Sequence, residues 1–572
     1  MTDLIILPPL ILGVITYGFT LWKASFVAKE KVASVLAILS SGLSFIFTLL
    51  SLSQRGIKTS YLPEWIVFGD LKIELTYYLD AWSLTLALVS SFLTLVIIVF
   101  SRYYFGVNSH AAVYYGMIQM FLFGMLMLVL SNNLIFTFFG WEIVGICSWF
   151  LIGIYHYKGG LEGRKAAYAG QKAMLVTGLA DVGFLMAIAL LGVDNFPISS
   201  MQSIPDIVAI GLLVAAFGKS AQFPLHIWIS STDDRDIDAM QGPTTVSALI
   251  HAATMVNAGV YLTSRVVAIG TSELNTTIIL WVGITSAVYA GLSALGTSDL
   301  KRVLAYSTIS QLGFMFIALG VGSTFAALWH LTNHAFFKAL LFLIAGYLIH
   351  TVGSRKLEDL TNTVRGSWLK ISLIVGVSAL AGVPFFSGFF SKDLIMELLV
   401  EEGDYMAFGF TLFAAFLTGA YSFKILRILL GSGEQQDQDK RIPKAVLLLL
   451  TGVVILSSLS YFYLNAFTWS KSYQIFSFDP LVLLGILVSI LGMLVGYYYD
   501  RIPRIAFFYE LLKQGFYIDD ILVGFGVASV KGVSKLTAAM HNRTNFWNFV
   551  FFSLGSIGIT IALYVTQFGG YI

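Results

Sequence analysis

Apolar runs of about 20 residues, each closed by a short polar connection, recur along the whole chain; that is the length a helix needs to cross a bilayer. Read end to end, they predict about sixteen helical spans: 4–22, 32–52, 78–100, 111–130, 133–156, 166–192, 206–228, 243–270, 277–296, 303–321, 325–350, 367–400, 405–430, 444–466, 479–500 and 546–567. Segment 367–400 is too long for one simple span. It holds "AGVPFFSGFFSKD", in which Pro384 removes a backbone donor and clashes with the preceding turn, so the helix is expected to break there. "GKSAQFPLHIW", with Lys219 ahead of Pro224, is expected to break in the same way. Each break lies in a block of five spans, 111–270 and 277–430. That layout predicts an internal inverted repeat with ion sites in discontinuous helices. The expected organisation is therefore N-terminal helices over 1–105, one repeat over 106–275, a second over 276–430, and C-terminal helices over 431–572.

Composition sharpens the class. The chain is 57% hydrophobic and 12% charged, where soluble domains carry about 25% charged residues. An all-α polytopic membrane protein is expected. A net charge of +2 does not suggest nucleic acid as a partner. Cys147 stands alone, so neither an internal disulfide nor an iron–sulfur cluster can be held. The start, "MTDLIILPPLILGV", lacks a basic stretch and a cleavage site and reads as a first span.

Charge sidedness fits the alternation of spans. Lys23, Lys29, Lys31, Lys158, Arg164, Lys165, Lys301, Arg302, Arg355, Lys356, Lys440, Arg441, Lys444, Arg501 and Arg504 fall on one side, and Arg55, Lys58, Lys72, Arg265 and Lys471 on the other. The richer side is expected to be cytoplasmic, with both termini on the opposite side of a prokaryotic plasma membrane.

The charges inside the spans carry the chemistry. Glu142, in "FFGWEIVGICSWFLIGIY", would cost about 2.5–3.5 kcal/mol at a helix centre unless paired or used. Lys219 is a partner of the right sign. Lys172 and Asp181 share one span but lie too far apart on it to touch, so each needs a partner elsewhere. His251 has Ser247 and Thr254 on its face, which suits either a packed histidine or a hydrated track. "ALWHLTNHAFFKALLF" places His330, His334 and Lys338 at i, i+4 and i+8, in file along one helix face. Such a file is either a proton relay or a polar helix contact. A metal site at the two histidines is the weaker alternative, because no carboxylate or cysteine lies beside them. Lys392 and Asp393 close the series, pointing about 100° apart. Burial disfavours a lysine's charged form and a nearby carboxylate restores it, so moving one or wetting the other can load or unload a proton. Histidines titrate near neutrality.

The same residues carry a family pattern. "FFGWEIVGICSWFLIGIY", "GKSAQFPLHIW", "DAMQGPTTVSALIHAATMVNAGVYL", "DLKRVLAYSTISQLGFMFIALG", "NHAFFKALLFLIAG" and "GFFSKD" resemble the antiporter-like subunits of respiratory complex I. "YLDAWSLTLALVSSFLTLVIIVFSRYYF" and "YELLKQGFYIDDIL" resemble the distal L-type, or chain 5, members in particular. Related subunits occur in Mrp-type antiporters and membrane-bound hydrogenases. The resemblance implies an input pair Glu142 and Lys219, a central link through His251, His330, His334 and Lys338, and an exit at Lys392 with Asp393. Lys172 and Asp181 match supporting positions. It further implies a subunit of a translocating quinone oxidoreductase that holds no cofactor itself. Quinone, iron–sulfur and flavin centres would sit in partner subunits, and an M-type subunit would be the neighbour in the membrane arm. The alternative is a subunit of a cation/proton antiporter or a membrane-bound hydrogenase.

Three departures stand out. The family often has an arginine three positions before Asp181, where this chain has Gly178, which leaves the partner of Asp181 open. "WISSTDDRDIDAM" adds an acidic insertion carrying Asp233, Asp234, Arg235 and Asp236, either a solvated loop or a subunit contact or proton-collecting patch. L-type members end with a long lateral helix and a final span, whereas the glycine-rich stretch here, "GFGVASVKGVSKLTAAMHNR", reaches at most about 45 Å as helix. A short-armed variant is expected.

Overall fold

A computed structural model describes residues 2–21, 25–54, 56–68, 71–106, 108–192, 196–230, 237–431, 444–459 and 480–501, with a few positions between 511 and 524. The chain divides into two compact units, Met1–Gly515 and Phe516–Ile572. Nearly all of the second unit, including the expected lateral segment and the span 546–567, lies outside the described residues, as does the insertion 231–236.

The first unit is almost entirely helical. Its helices are α1 (Asp3–Gly18), α2 (Phe26–Ser51), α3 (Ala81–Tyr104), α4 (Ala111–Leu130), α5 (Leu134–Ile152), α6 (Gly160–Leu191) and α7 (Asp206–Lys219). There follow α8 (Thr244–Ala248), α9 (Met255–Ile269), α10 (Glu273–Gly296), α11 (Leu300–Gly320), α12 (Thr324–Val352) and α13 (Ser367–Ala381). The series ends with α14 (Ser387–Glu401), α15 (Tyr405–Leu429), α16 (Lys444–Ser457) and α17 (Pro480–Tyr497). Among the described residues ten helices are long and apolar enough to cross a membrane, with four shorter apolar ones beside them. The protein is an integral membrane protein of polytopic, predominantly helical type.

Local sequence sets the helix ends. Asp80 caps α3, accepting from Ser83 N at 2.8 Å while Ser83 Oγ accepts from Asp80 N at 2.9 Å. Asp299 caps α11 through the amides of Lys301 and Arg302. Such caps satisfy donors that a helix start leaves open. Gly382 ends α13 in the left-handed region at φ 78°, which a side chain would strain.

Two expected breaks are present. α7 stops at Lys219, and a short 3₁₀ turn, Leu225–Trp228, follows Pro224. α13 and α14 are separated at 382–386, around Pro384. Two features differ from the sequence expectation. Segment 243–270 is not one continuous helix: a π-turn, Leu249–Ala253, divides α8 from α9, and Thr254 leaves helical geometry at φ −143°, ψ −96°. Side chains stabilise the interruption, with Thr254 Oγ1 donating to Leu249 O at 2.8 Å and Asn257 Nδ2 to Ala252 O at 2.9 Å. These bonds offer the backbone acceptors an alternative to the helix ladder. The second is an antiparallel hairpin, β1 (Gly56–Phe68) with β2 (Leu71–Leu79), in the stretch read as a plain connection; the following helix begins at Ala81, not at 78.

Small residues let helices meet backbone to backbone. A Cβ at Gly183 of α6 would lie 2.5 Å from Gly211 O of α7, and one at Gly211 2.5 Å from Gly183 O. That close contact holds α6 and α7 together beside Asp181 and Lys219. The outer face of α6 carries Leu175 and Leu179, fully outward-facing and apolar, as a lipid-facing helix requires. Helices α8, α9, α11 and α12 are buried almost throughout and form the centre of the unit.

Candidate functional site: a buried file of charges

The break after α7 holds a buried ion pair. Lys219 Nζ donates to Asp181 Oδ2 at 3.0 Å, with both side chains almost wholly excluded from solvent. Trp141 Nε1 donates to the other oxygen, Asp181 Oδ1, at 2.6 Å, and the Lys219 ammonium stands 5.3 Å from the Trp141 ring centre. Space for the ammonium comes from Gly145, where a Cβ would lie 2.9 Å from Nζ. Lys219, expected beside Glu142, meets a different carboxylate directly. Among the described residues its direct ionic partner is Asp181, while half-buried Glu142 is an electrostatic neighbour of both. The reason is helix packing, since α6 presses against α7 through paired glycines and lays Asp181 against Lys219. It also answers what Asp181 does without the family's arginine: it takes Lys219 and Trp141. Lys172 makes a contact of its own. Its Nζ reaches Ile237 O at 3.3 Å, next to the acidic insertion.

The central helices bring the remaining residues together. His251 sits inside the π-turn, fully buried, its ring stacked on Phe342 at 4.8 Å, with Lys338 and Lys301 as charged neighbours. On α12, Lys338 Nζ donates to Leu304 O at 3.2 Å and makes a very short bond to Ser307 Oγ. His334 has Lys338, His330, His251 and Lys392 around it. Neither ring nitrogen of His251 or His334 has a hydrogen-bond partner among the described residues. His330 is different. Its Nδ1 lies 2.7 Å from Ser391 Oγ and its Nε2 3.2 Å from Gln311 Oε1.

The second break mirrors the first in having a buried lysine. Lys392 Nζ donates to Leu380 O at 2.7 Å, one of the carbonyls left open where α13 ends, and stands 5.5 Å from the Phe314 ring centre. A small cleft lined by Gly382, Phe389, Lys392, Met396, Gly485 and Ser489 reaches this lysine, with about 10 Å³ of free volume, room for about one water. Asp393 turns away from it and is buried near Glu397. Among the described residues no carboxylate pairs with Lys338 or Lys392. None of the described His, Cys, Asp and Glu side chains form a group of three or more able to hold a metal.

On the side where Lys301 and Arg355 lie, a clamp not anticipated from the sequence holds the segment after the insertion. Arg302 Nε pairs with buried Asp238 at 3.0 Å, Lys301 Nζ donates to Met240 O at 2.8 Å and Gly242 O at 2.7 Å, and Arg355 pairs with Asp299 at 3.1 Å. Reasoning from the sequence also missed Trp141, Gly145, Gln311, Ser307 and Ser391. All are neutral, so an apolar run does not mark them as anomalies. Trp141 and Ser391 are nonetheless next in sequence to Glu142 and Lys392.

Residues 131–418 match the family description "NADH:quinone oxidoreductase/Mrp antiporter, TM". The chain belongs to the NADH:quinone oxidoreductase/Mrp antiporter transmembrane family. All of the file from Glu142 to Asp393 lies inside the region matching that family. Among relatives, the NADH-quinone oxidoreductase subunit L of Rickettsia typhi is 33% identical over 522 residues, covering 83% of this chain and 78% of that protein. The subunit L of Pseudomonas aeruginosa is 38% identical over 428 residues, covering 71% of this chain and 67% of that one. A solved structure of the Mrp complex from Dietzia sp. DQ12-45-1b contains a similarly folded chain, with a TM-score of 0.77 and 25% identity. This chain is covered to 97% in that comparison and spans 63% of the Mrp chain.

Proposed function

We propose that this chain is the L-type, proton-translocating membrane subunit of a quinone oxidoreductase of the complex I kind. The observation that carries the reading is the series of buried titratable groups running between two helix breaks, Asp181–Lys219 at one and Lys392 at the other, with His251, Lys338, His334 and His330 among them. Intramembrane ionisable groups are expensive, and such groups mark ion pathways. The family and the subunit L relatives support the same assignment.

In this reading the two repeats, 106–275 and 276–430, each contribute one broken helix. Lys219 takes its proton from the better-charged, cytoplasmic side, with Asp181 as its direct counter-ion and Glu142 and Lys172 as supporting groups. The proton then moves through waters past His251 and Lys338 to His334, His330 and Lys392, and leaves with the help of Asp393. Histidine suits the middle of such a path because its ring carries two nitrogens, one able to take a proton while the other gives one. Redox centres, quinone, flavin and iron–sulfur clusters belong to partner subunits, and an M-type subunit is the membrane neighbour. Both termini lie on the non-cytoplasmic side.

An antiporter or hydrogenase subunit is the second reading, favoured by the Mrp fold neighbour. Purifying the native complex through a tag on this chain separates the two. Co-purifying iron–sulfur and quinone-site subunits, with quinone reductase activity, are expected. Small antiporter subunits without redox activity would overturn the first reading in favour of the second.

A further inference from the structure

We propose that Gln311 and Ser391 make His330 a proton store with a single port. Gln311 holds a proton permanently on Nε2, and Ser391 passes protons to and from Nδ1. The proposal rests on the relay described above and assigns two neutral side chains to it.

The tautomer follows from the hydrogen-bond network. Thr418 Oγ1, on α15, gives its one proton to Ala414 O at 2.9 Å. Its oxygen is then an acceptor for Gln311 Nε2, at 3.4 Å. Heavy-atom positions alone do not orient an amide; a Thr418 hydroxyl spent on Ala414 O leaves only a lone pair for Gln311, and the buried Tyr421 hydroxyl stands beside both side chains. With its nitrogen facing Thr418, Gln311 turns Oε1 toward His330 Nε2 at 3.2 Å. An amide oxygen can only accept, so Nε2 carries a proton in both the neutral and the charged ring. Gln311 is fully buried.

Exchange is left to Nδ1, 2.7 Å from Ser391 Oγ. Ser391 also lies 3.1 Å from Ser387 O. A serine hydroxyl has one proton and two lone pairs, so two arrangements exist. With a neutral ring, the Ser391 hydroxyl donates to Nδ1. With a charged ring, Nδ1–H donates to Oγ and the hydroxyl proton turns to Ser387 O. To unload, Nδ1 gives its proton to Oγ while the hydroxyl gives its own to a water, which delivers one to the free amine of Lys392. One proton leaves the imidazolium, one arrives at the amine, and Ser391 keeps its hydroxyl; loading is the reverse. Lys392 follows Ser391 in the chain, and Phe314 borders both ends of the step, 6.4 Å from the His330 ring and 5.5 Å from Lys392 Nζ. His334 and His251, with neither nitrogen bonded among the described residues, are not restricted in this way.

The test uses the assembled complex in proteoliposomes, comparing quinone-coupled proton transport in wild type, H330Q, S391A, the S391A/H330Q double variant and S391T. Ser391→Ala and His330→Gln should each slow transport at least about fivefold, and the double variant should be no slower than H330Q, the signature of two residues acting as one unit. Ser391→Thr, which restores the hydroxyl, should recover at least half of the rate. A slow H330Q with a wild-type S391A overturns the port while leaving the relay standing, as does a double variant in which the two effects multiply. H330Q at wild-type speed removes His330 from the relay and the proposal with it. In complex labelled with nitrogen-15 histidine, the His330 signals, identified by their loss in H330Q, should report one Nε2-protonated tautomer, and Gln311→Leu should give a mixture. A mixture in wild type, or no change in Q311L, overturns the role of Gln311.

Discussion

Neutralising Asp181 is the sharpest perturbation of the input half. Lys219 is fully buried, and its ionic partner among the described residues is Asp181, at 3.0 Å and itself almost fully buried. Replacing it by asparagine keeps the shape and removes the charge. Breaking a buried pair by deleting one partner costs about 3–5 kcal/mol, because the other charge is left uncompensated. At about 1.4 kcal/mol per decade, that penalty is about two to four powers of ten against the arrangement that holds Lys219 at Asp181. Glu142 is half-buried and makes no ion pair with Lys219. Glu142 acts on Lys219 without a direct ion pair, so its loss costs less than that of a partner hydrogen-bonded at 3.0 Å. Asp181→Asn should therefore reduce quinone-coupled proton uptake in reconstituted vesicles more than Glu142→Gln does, and by at least about tenfold. Retained quinone reduction would show that the complex is assembled. Wild-type uptake in Asp181→Asn, or a larger loss in Glu142→Gln, would refute the pairing as the working one.

Other outcomes follow from named contacts. Gly145→Ala places a Cβ 2.9 Å from Lys219 Nζ and should lower coupled proton transport toward the Asp181→Asn level without unfolding the subunit; a wild-type rate would mean that the ammonium does not need this seat. Arg265 binds Asp80 at 2.5 and 2.9 Å and Tyr261 at 2.6 Å, tying α9 to the cap of α3. Arg265→Ala should cost about 3 kcal/mol or more, read as a lower unfolding temperature of the detergent-solubilised complex. Burial alone would raise the Asp80 carboxyl, but the Arg265 charge, with hydrogen bonds from Arg265 and Ser83, holds it below its usual value. The contribution of this pair is then present above the unfolded carboxyl's pKa of about 3.9 and lost as pH falls through the lower folded value. The difference in unfolding temperature between wild type and Arg265→Ala should accordingly shrink at the lowest pH, and a difference that grew with acid would contradict the sign. Lys338→Leu removes the ammonium bound to Leu304 O and Ser307 Oγ; it should abolish most coupled transport while leaving quinone reduction measurable, checked in the same vesicles.

The charged members of the site were legible in the sequence because a charge inside an apolar run is an energetic anomaly. Glu142, Lys219, Lys338 and Lys392 announce themselves in that way, and prolines placed both helix breaks near two of these lysines. Pairing was not legible. Whether Lys219 meets Glu142 or Asp181 depends on how closely α6 and α7 approach, and that is set by glycines whose contacts exist only in the folded chain. The π-turn at Leu249–Ala253 was hidden for a different reason: its apolar pattern is continuous, and the bonds that hold it run locally, from neutral Thr254 and Asn257 to carbonyls five positions back. The hairpin Gly56–Leu79 escaped because its polar content read as a connection between spans. Gln311 and Ser391 are neutral and sit among ordinary helical residues, so only their distances to His330 single them out.

Proton movement through this chain is the central claim, and Lys219→Ala tests it most directly. The measurement is the number of protons moved per electron passed to quinone, in vesicles holding the purified complex at matched quinone reductase activity. The account predicts a lower ratio for Lys219→Ala than for wild type, with electron transfer continuing. An unchanged ratio would contradict it.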